Sequence, residues 1–149
     1  SPGYKYNDWE MKGVPLRLEI GGRDLEAGVA TMALRISDDG KQPVPLTDLV
    51  ARIPVVLEEF QDFLLQRATS FREEHTTVVD DWDAFVEAVG TGWARVLHCG
   101  RPECEDDIKE ATKATPRNVP LHADPETGCC VRCDQPSAYG QRIIFGRAY

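Results

Sequence analysis

Apolar and polar positions alternate strictly at the start of the chain. Val14, Leu16, Leu18 and Ile20 are apolar, with Pro15, Arg17 and Glu19 between them. A period of two predicts a strand with one buried and one wet face, and puts Arg17 and Glu19 on the wet side. Gly21-Gly22 ends that strand, and Arg23 to Glu26 reads as a turn or one helical turn. Ala30, Met32, Leu34 and Ile36 repeat the alternation as a second strand. Asp38-Asp39-Gly40 carries an Asp-Gly hairpin signal, so a short return strand from Gln42 to Val44 is expected. Ahead of these strands, Asp8 to Lys12 reads as a short helix stopped by Gly13.

The period then changes. Val56, Leu57, Phe60, Phe63, Leu64, Ala68 and Phe71 recur at helical spacing, with Glu58, Glu59, Gln61, Arg67, Arg72 and Glu73 mostly between them. Thr47 reads as a helix N-cap, and Pro54 as the first residue of a new helix running to Glu74, about 30 Å long. Such a helix reads as a connector packed along its apolar stripe onto the preceding sheet. Thr76 to Val79 break it. Asp80 or Asp81 caps the next helix, which carries Trp82, Phe85, Val86 and Val89 and ends at Gly90. Trp93 to His98 is strand-like, Pro102-Glu103 opens a helix through Ile108 and Ala111, Thr112 to Pro125 is extended and loop-rich, and Gln141 to Phe145 is a last strand. The pattern is that of an α+β protein.

Two cysteine pairs change the picture. Cys99 and Cys104 form C-x4-C; Cys130 and Cys133 form C-x2-C. Glycines at 100 and 128 sit beside them, where tight thiolate-bearing turns need a permissive backbone. Two such knuckles can close a tetrahedral all-thiolate zinc site, and four protein ligands leave no open position, which argues for a structural metal. Two disulfides and a redox C-x-x-C are the competing readings. The odd count of five cysteines and the lack of an export signal weigh against the first. Asp134-Gln135-Pro136, which starts no long helix, weighs against the second. Cys129 is the spare thiol. His98 is within reach of the metal, but reads first as a partly buried strand residue.

Composition narrows the function classes. The 149 residues are 28% charged and 42% hydrophobic, ordinary for a globular chain, with a formal net charge of −8. That charge works against indiscriminate coating of nucleic acid, DNA included, while allowing a few local base contacts. No apolar run reaches membrane-spanning length. Reduced, metal-type cysteines suggest the cytoplasm. No phosphate-cradling G-x-x-x-x-G-K-[ST] loop is present, and His75, His98 and His122 are scattered over different elements, so no catalytic residue is assigned. The opening Ser1-Pro2-Gly3 reads as a piece of a longer polypeptide or a processed form.

Several stretches together carry a resemblance. Pro2-Gly3-Tyr4-Lys5-Tyr6-Asn7-Asp8-Trp9-Glu10-Met11-Lys12-Gly13-Val14-Pro15-Leu16-Arg17, continued in register by Gly21 to Glu26, resembles the anticodon-binding domain of prolyl-tRNA synthetases. Ile108 to Thr115, the paired knuckles and the ending Ile144 to Tyr149 resemble the C-terminal zinc-binding domain of the archaeal and eukaryote-type branch of these class II enzymes. Pro116 and the extra Cys129 depart from that pattern. The resemblance implies a partial mixed sheet from an anticodon-binding domain at 1–46, a connecting helix at 47–78 and a small α+β zinc domain at 79–149. Zinc would be held by Cys99, Cys104, Cys130 and Cys133. Glu10, Lys12, Arg17 and Lys41 would read the anticodon of tRNA(Pro), and Tyr149 would extend toward the catalytic domain. That domain, which uses ATP and Mg2+ and belongs to a homodimer, is absent here, so the chain alone should be inactive. Its loss would leave an exposed sheet edge and an uncovered apolar face. The alternative is a non-catalytic zinc-binding adaptor for protein or RNA partners.

Overall fold

The computed structural model describes residues 1–36 and 40–148. The Asp38-Asp39 part of the expected hairpin turn and Tyr149 lie outside the described residues. The chain forms two compact units, Ser1–Arg67 and Ala68–Tyr149, each with its own sheet.

The first unit contains α1 (Pro2–Met11), β1 (Leu16–Glu19), α2 (Gly22–Ala27), β2 (Val29–Leu34), β3 (Lys41–Pro45) and the first part of α3 (Leu49–Glu74). Strand order is β1-β2-β3, with Leu18 opposite Met32 and Met32 opposite Gln42. Both pairings are antiparallel, so the mixed sheet expected here is instead uniform. The reason is reach: the connections are shorter than the roughly dozen residues a parallel crossover needs. Met32, Val44 and Val56 form a small core, with Leu16, Leu34 and Leu49 against it. Leu18 and Ile20, expected inward, are exposed at the edge strand.

Two helix boundaries differ from the sequence reading. α1 starts at Pro2 rather than Asp8, with proline in its first turn and no buried residue. α3 starts at Leu49, with Pro54 inside it. The Asp48 carbonyl accepts from the amides of Ala51 and Arg52, so the first turn is already closed when Pro54 arrives. Proline at that point forfeits one backbone hydrogen bond. Thr47 gives its hydroxyl to the Asp48 carboxylate, 2.9 Å away, rather than capping. Of the apolar stripe, Val56 and Phe60 are buried, whereas Leu57, Phe63 and Phe71 are exposed.

The second unit follows the end of α3 with β4 (Thr76–Val78), α4 (Trp82–Thr91), β5 (Trp93–Val96), α5 (Pro102–Thr112), β6 (Ala114–Asn118) and β7 (Ile143–Arg147). Strand order is β4-β5-β7-β6, mixed: β4 runs parallel to β5 through the α4 crossover, and the other pairs are antiparallel. Asp81 caps α4, its carboxylate accepting from the Ala84 amide at 2.9 Å. Alternation in β5 turns Ala94 and Val96 inward, where Phe85, Ala88, Val89, Ile108, Ile143 and Phe145 complete the core. The Phe85 and Phe145 rings meet edge to face at 5.6 Å. Arg142 ties the sheet rim together: its guanidinium donates to both Glu126 oxygens at 2.8 and 2.7 Å, to the Val79 carbonyl at 3.0 Å, and to Asp80.

Candidate functional sites: a thiol centre and an aromatic cleft

The thiol centre is built where β5 ends. Beyond Val96 the chain runs through Leu97 and His98 to Cys99, then turns at Gly100, whose φ of +71° is the left-handed region that glycine accepts without strain. The turn delivers Pro102 as the first residue of α5, with Glu103 and Glu105 in its first turn. That places Cys104 on the buried face of α5, one turn before Ile108. The second knuckle is stitched onto the same strand end. Val131 N–H donates to the Leu97 carbonyl at 3.0 Å and Ala138 N–H to the His98 carbonyl at 3.0 Å. Asp134 N–H closes the knuckle onto the Cys130 carbonyl at 3.1 Å. Gly128 serves by close approach: a Cβ there would sit 2.6 Å from the Leu97 side chain.

These two loops bring all four expected thiols together. The Cys99 and Cys133 sulfurs are 3.5 Å apart, and those of Cys104 and Cys130 are 3.7 Å apart. A tetrahedral ion with Zn–S bonds of about 2.3 Å requires sulfur–sulfur edges of about 3.8 Å. All five cysteines are free thiols. Cys99, Cys104 and Cys130 are buried, Cys133 half-buried and Cys129 exposed. His98 joins the cluster: a ring nitrogen and the sulfurs of Cys99, Cys104 and Cys130 all lie within 4.8 Å of one another. It is fully buried rather than partly so. The group is therefore one that can hold a metal ion.

The electrostatics fit a cation. Burial, then the neighbouring thiols, pushes Cys104 well above the ordinary thiol value, and burial also raises Cys130. Burial also works against Cys133, but the Gln135 amide and the other three thiols outweigh it and hold Cys133 down to about 6. The Arg101 guanidinium is held ionised by Cys99 and Cys133. Without a metal the cluster sustains little negative charge; a bound cation deprotonates the remaining thiols. Burial lowers the His98 value, so the imidazole is neutral at pH 7.

In the first unit the structure gathers three of the four expected RNA-contacting residues. Arg17 bonds Glu10 and, at 3.0 Å, Glu19, which in turn takes Lys41 Nζ at 2.7 Å. Lys41 and then Arg17 hold the Glu19 carboxyl below its ordinary value. Lys12 stands apart, paired with Asp8 at 2.8 Å and lying over the Trp9 ring. Beside the Glu10–Arg17 pair is a cleft of about 170 Å³ walled by Tyr6, Trp9, Leu16 and Arg35. The Arg17 guanidinium lies 3.9 Å over the Tyr6 ring. Tyr6, Trp9, Glu19 and Arg35 escaped the sequence reading. The first two were findable: Tyr6, Trp9 and Glu10 stand at helical i, i+3 and i+4 and so share one face.

Comparison with known proteins bears on both sites. Residues 82–149 match the family "Prolyl-tRNA synthetase, C-terminal", and residues 1–55 match "Anticodon binding domain". The chain is 58% identical over 149 residues to a proline–tRNA ligase of Mycobacterium leprae, covering 100% of this chain and 31% of the relative. It is 60% identical to proline–tRNA ligase 2 of Rhodococcus jostii, with the same coverages. Among solved structures it resembles the prolyl-tRNA synthetase of Cryptosporidium parvum complexed with halofuginone and AMPPNP, with a TM-score of 0.83 and 31% identity over 100% of this chain and 31% of that one. The chain thus spans about a third of the length of these relatives. With an anticodon-binding segment and a prolyl-tRNA synthetase C-terminal segment in order, and similarity over its whole length, the chain belongs to the C-terminal region of the prolyl-tRNA synthetase family.

Proposed function

We propose that the chain is the tRNA-reading and structural tail of a proline–tRNA ligase, itself cytoplasmic and homodimeric. The carrying observation is the similarity, over the whole of this chain, to proline–tRNA ligases at 58% and 60% identity. In this reading amino-acid activation, with ATP and Mg2+, belongs to parts of the ligase outside these residues, and Tyr149 reaches toward them. The division into residues 1–46, 47–78 and 79–149 follows the same reading.

Anticodon recognition is assigned to Glu10, Arg17 and Lys41, with Lys12 contributing charge nearby. Proline anticodons carry two adjacent guanines. An unstacked guanine offers two donors on its pairing edge, which one carboxylate accepts together, and acceptors that suit Arg or Lys. Tyr6 and Trp9 supply rings against which a splayed base can stack, worth about 1–3 kcal/mol per base. The ion pairs Glu10–Arg17 and Arg17–Glu19 tie these side chains to one another before a base arrives.

Cys99, Cys104, Cys130 and Cys133 are assigned as the ligands of a structural zinc, which would supply cross-linking of the two knuckles and no chemistry of its own. The decisive experiment is binding of a tRNA(Pro) anticodon stem-loop by fluorescence anisotropy, against a version with the anticodon guanines replaced by adenine. Glu10→Lys and Arg17→Glu should each reduce the discrimination between the two RNAs. Equal binding of both RNAs by the unaltered chain would favour the adaptor reading.

A further inference from the structure

The aromatic cleft of the first unit is lined by two guanidinium groups, and they differ. Arg17 is committed: it donates to Glu10 and Glu19 and lies over the Tyr6 ring. Arg35 forms no ion pair among the described residues, and its Nε is buried without a hydrogen-bond partner there. The chain has 25 acidic residues against 17 Lys and Arg. A cation left without a carboxylate in such a chain, at the wall of a cleft, calls for an explanation.

Register explains its place. Arg17 stands opposite Ala33 in the β1–β2 pair, and the Arg35 amide extends that ladder by donating to the Pro15 carbonyl at 2.9 Å. Arg35 lies two residues beyond Ala33, so Arg17, Ala33 and Arg35 share one face of the sheet. The two arginines are then diagonal neighbours, about 7–8 Å apart at their backbones. Ala33, with its single methyl group, lines the cleft between them, and Tyr6, Trp9 and Glu10 close it from α1. The Arg35 side chain is anchored from behind. Its Cζ lies 5.6 Å from the centre of the Phe60 ring, within cation–π range.

The walls decide the ligand. Besides its charged groups the cleft is lined by two aromatic rings and by Val14, Pro15 and Leu16. Such walls accept the flat face of a base and offer a phosphate no hydrogen bonds. A guanine carries donors on its pairing edge, which suit a carboxylate, and the acceptors O6 and N7, which suit the fork of an arginine. One ring can therefore engage both kinds of group at once.

We infer that Arg35 is a specificity-determining residue of the anticodon site: its guanidinium takes O6 and N7 of a guanine stacked in the cleft while the Glu10 carboxylate takes the donors of that base's pairing edge. This rests on the reading of the cleft as an RNA site and assigns it a further contact.

The test uses the full 149-residue chain and tRNA(Pro) anticodon stem-loops in which 7-deazaguanine, which lacks the N7 acceptor, replaces each anticodon guanine in turn. At one of the two positions the unaltered chain should bind the deaza RNA about fivefold or more weakly than the parent RNA. Arg35→Met should weaken binding of the parent RNA by about 5- to 150-fold and should no longer distinguish parent from deaza RNA. Arg35→Lys keeps the charge without the fork and should leave discrimination against the deaza RNA impaired. If the unaltered chain binds both deaza RNAs as tightly as the parent RNA, the inference is overturned, whether or not the variants fold. It is also overturned if Arg35→Met weakens guanine and adenine RNAs equally and Arg35→Lys restores both, the behaviour of a phosphate contact. A chain that prefers guanine over adenine but ignores the deaza substitution loses only this inference. A chain that does not tell guanine from adenine loses the RNA reading of the cleft and this inference with it.

Discussion

Gly92 offers a direct test of how the second unit is put together. It follows α4 and leads into β5; its amide donates to the Ala88 carbonyl at 2.9 Å, and the next amide, Trp93 N–H, donates to the His75 carbonyl at 2.8 Å. Its φ of −166° is extended, so glycine is demanded here by closeness. A Cβ would lie 2.3 Å from the His75 carbonyl oxygen. Restoring ordinary contact at 3.4 Å requires a backbone displacement of about 1.1 Å. That breaks the Trp93–His75 hydrogen bond, about 1 kcal/mol, and strains the start of the β4–β5 pair, about 1–3 kcal/mol by analogy with overpacked cores. Gly92→Ala should therefore destabilise the second unit by about 2–4 kcal/mol, a fall in its melting temperature of about 10 °C or more. Gly90→Ala is the matched control. It lies in α4, exposed, with open space where the methyl would go, and should be neutral or stabilising by up to about 1 kcal/mol. Thermal and urea unfolding of both variants, at equal metal content, give the comparison. A Gly92→Ala protein within about 0.5 kcal/mol of the parent would show that His75 and Gly92 are not packed as described.

Further outcomes follow from the same geometry. With metal bound, a thiol reagent should label Cys129 rapidly and the other four slowly; chelation should expose all five and lower the melting temperature, and five fast thiols in the metal-loaded protein would refute the centre. Arg142 holds the Glu126 carboxyl below its ordinary value of 4.5. The stability this adds is present above that value and is lost as pH falls through the lower folded-state value. Glu126→Gln should therefore flatten the difference in urea midpoint between neutral pH and the acid range below 4.5; an unchanged acid limb would contradict the pairing. Tyr6→Ala should weaken anticodon stem-loop binding by about 5- to 150-fold if one base stacks there, with unchanged binding removing the cleft from the RNA site.

Much of this fold is legible because local pattern and tertiary contact agree. The alternations at Leu16 and at Ala30 to Leu34 gave β1 and β2 their positions, and Pro102 with its acidic first turn marked the first residue of α5. The losses have specific causes. β4 is three residues long and exists by pairing with β5 across an intervening helix, a partner no local window contains. β6 carries Pro116 and is tolerated because it is the edge of its sheet. Pro54 signals a helix start on its own, but here the Asp48 carbonyl had already closed the first turn. Spacing named the two knuckles, but the close sulfur pairs, Cys99 with Cys133 and Cys104 with Cys130, cross between them, and the full burial of His98 depends on Phe145, Tyr139 and the second knuckle, all distant in sequence.

The position of β7 has a consequence for biosynthesis. This strand, Ile143–Arg147, lies between β5 and β6. A nascent chain that has emerged only as far as Arg142 owns two separate fragments, a β4–β5 pair and a lone β6, with both cysteine knuckles already made. Closure of the sheet must therefore wait until residue 147 has cleared the ribosomal exit tunnel, and a stop codon placed anywhere between the second knuckle and Ile143 would release a chain that has all its thiols but no keystone to lock them in.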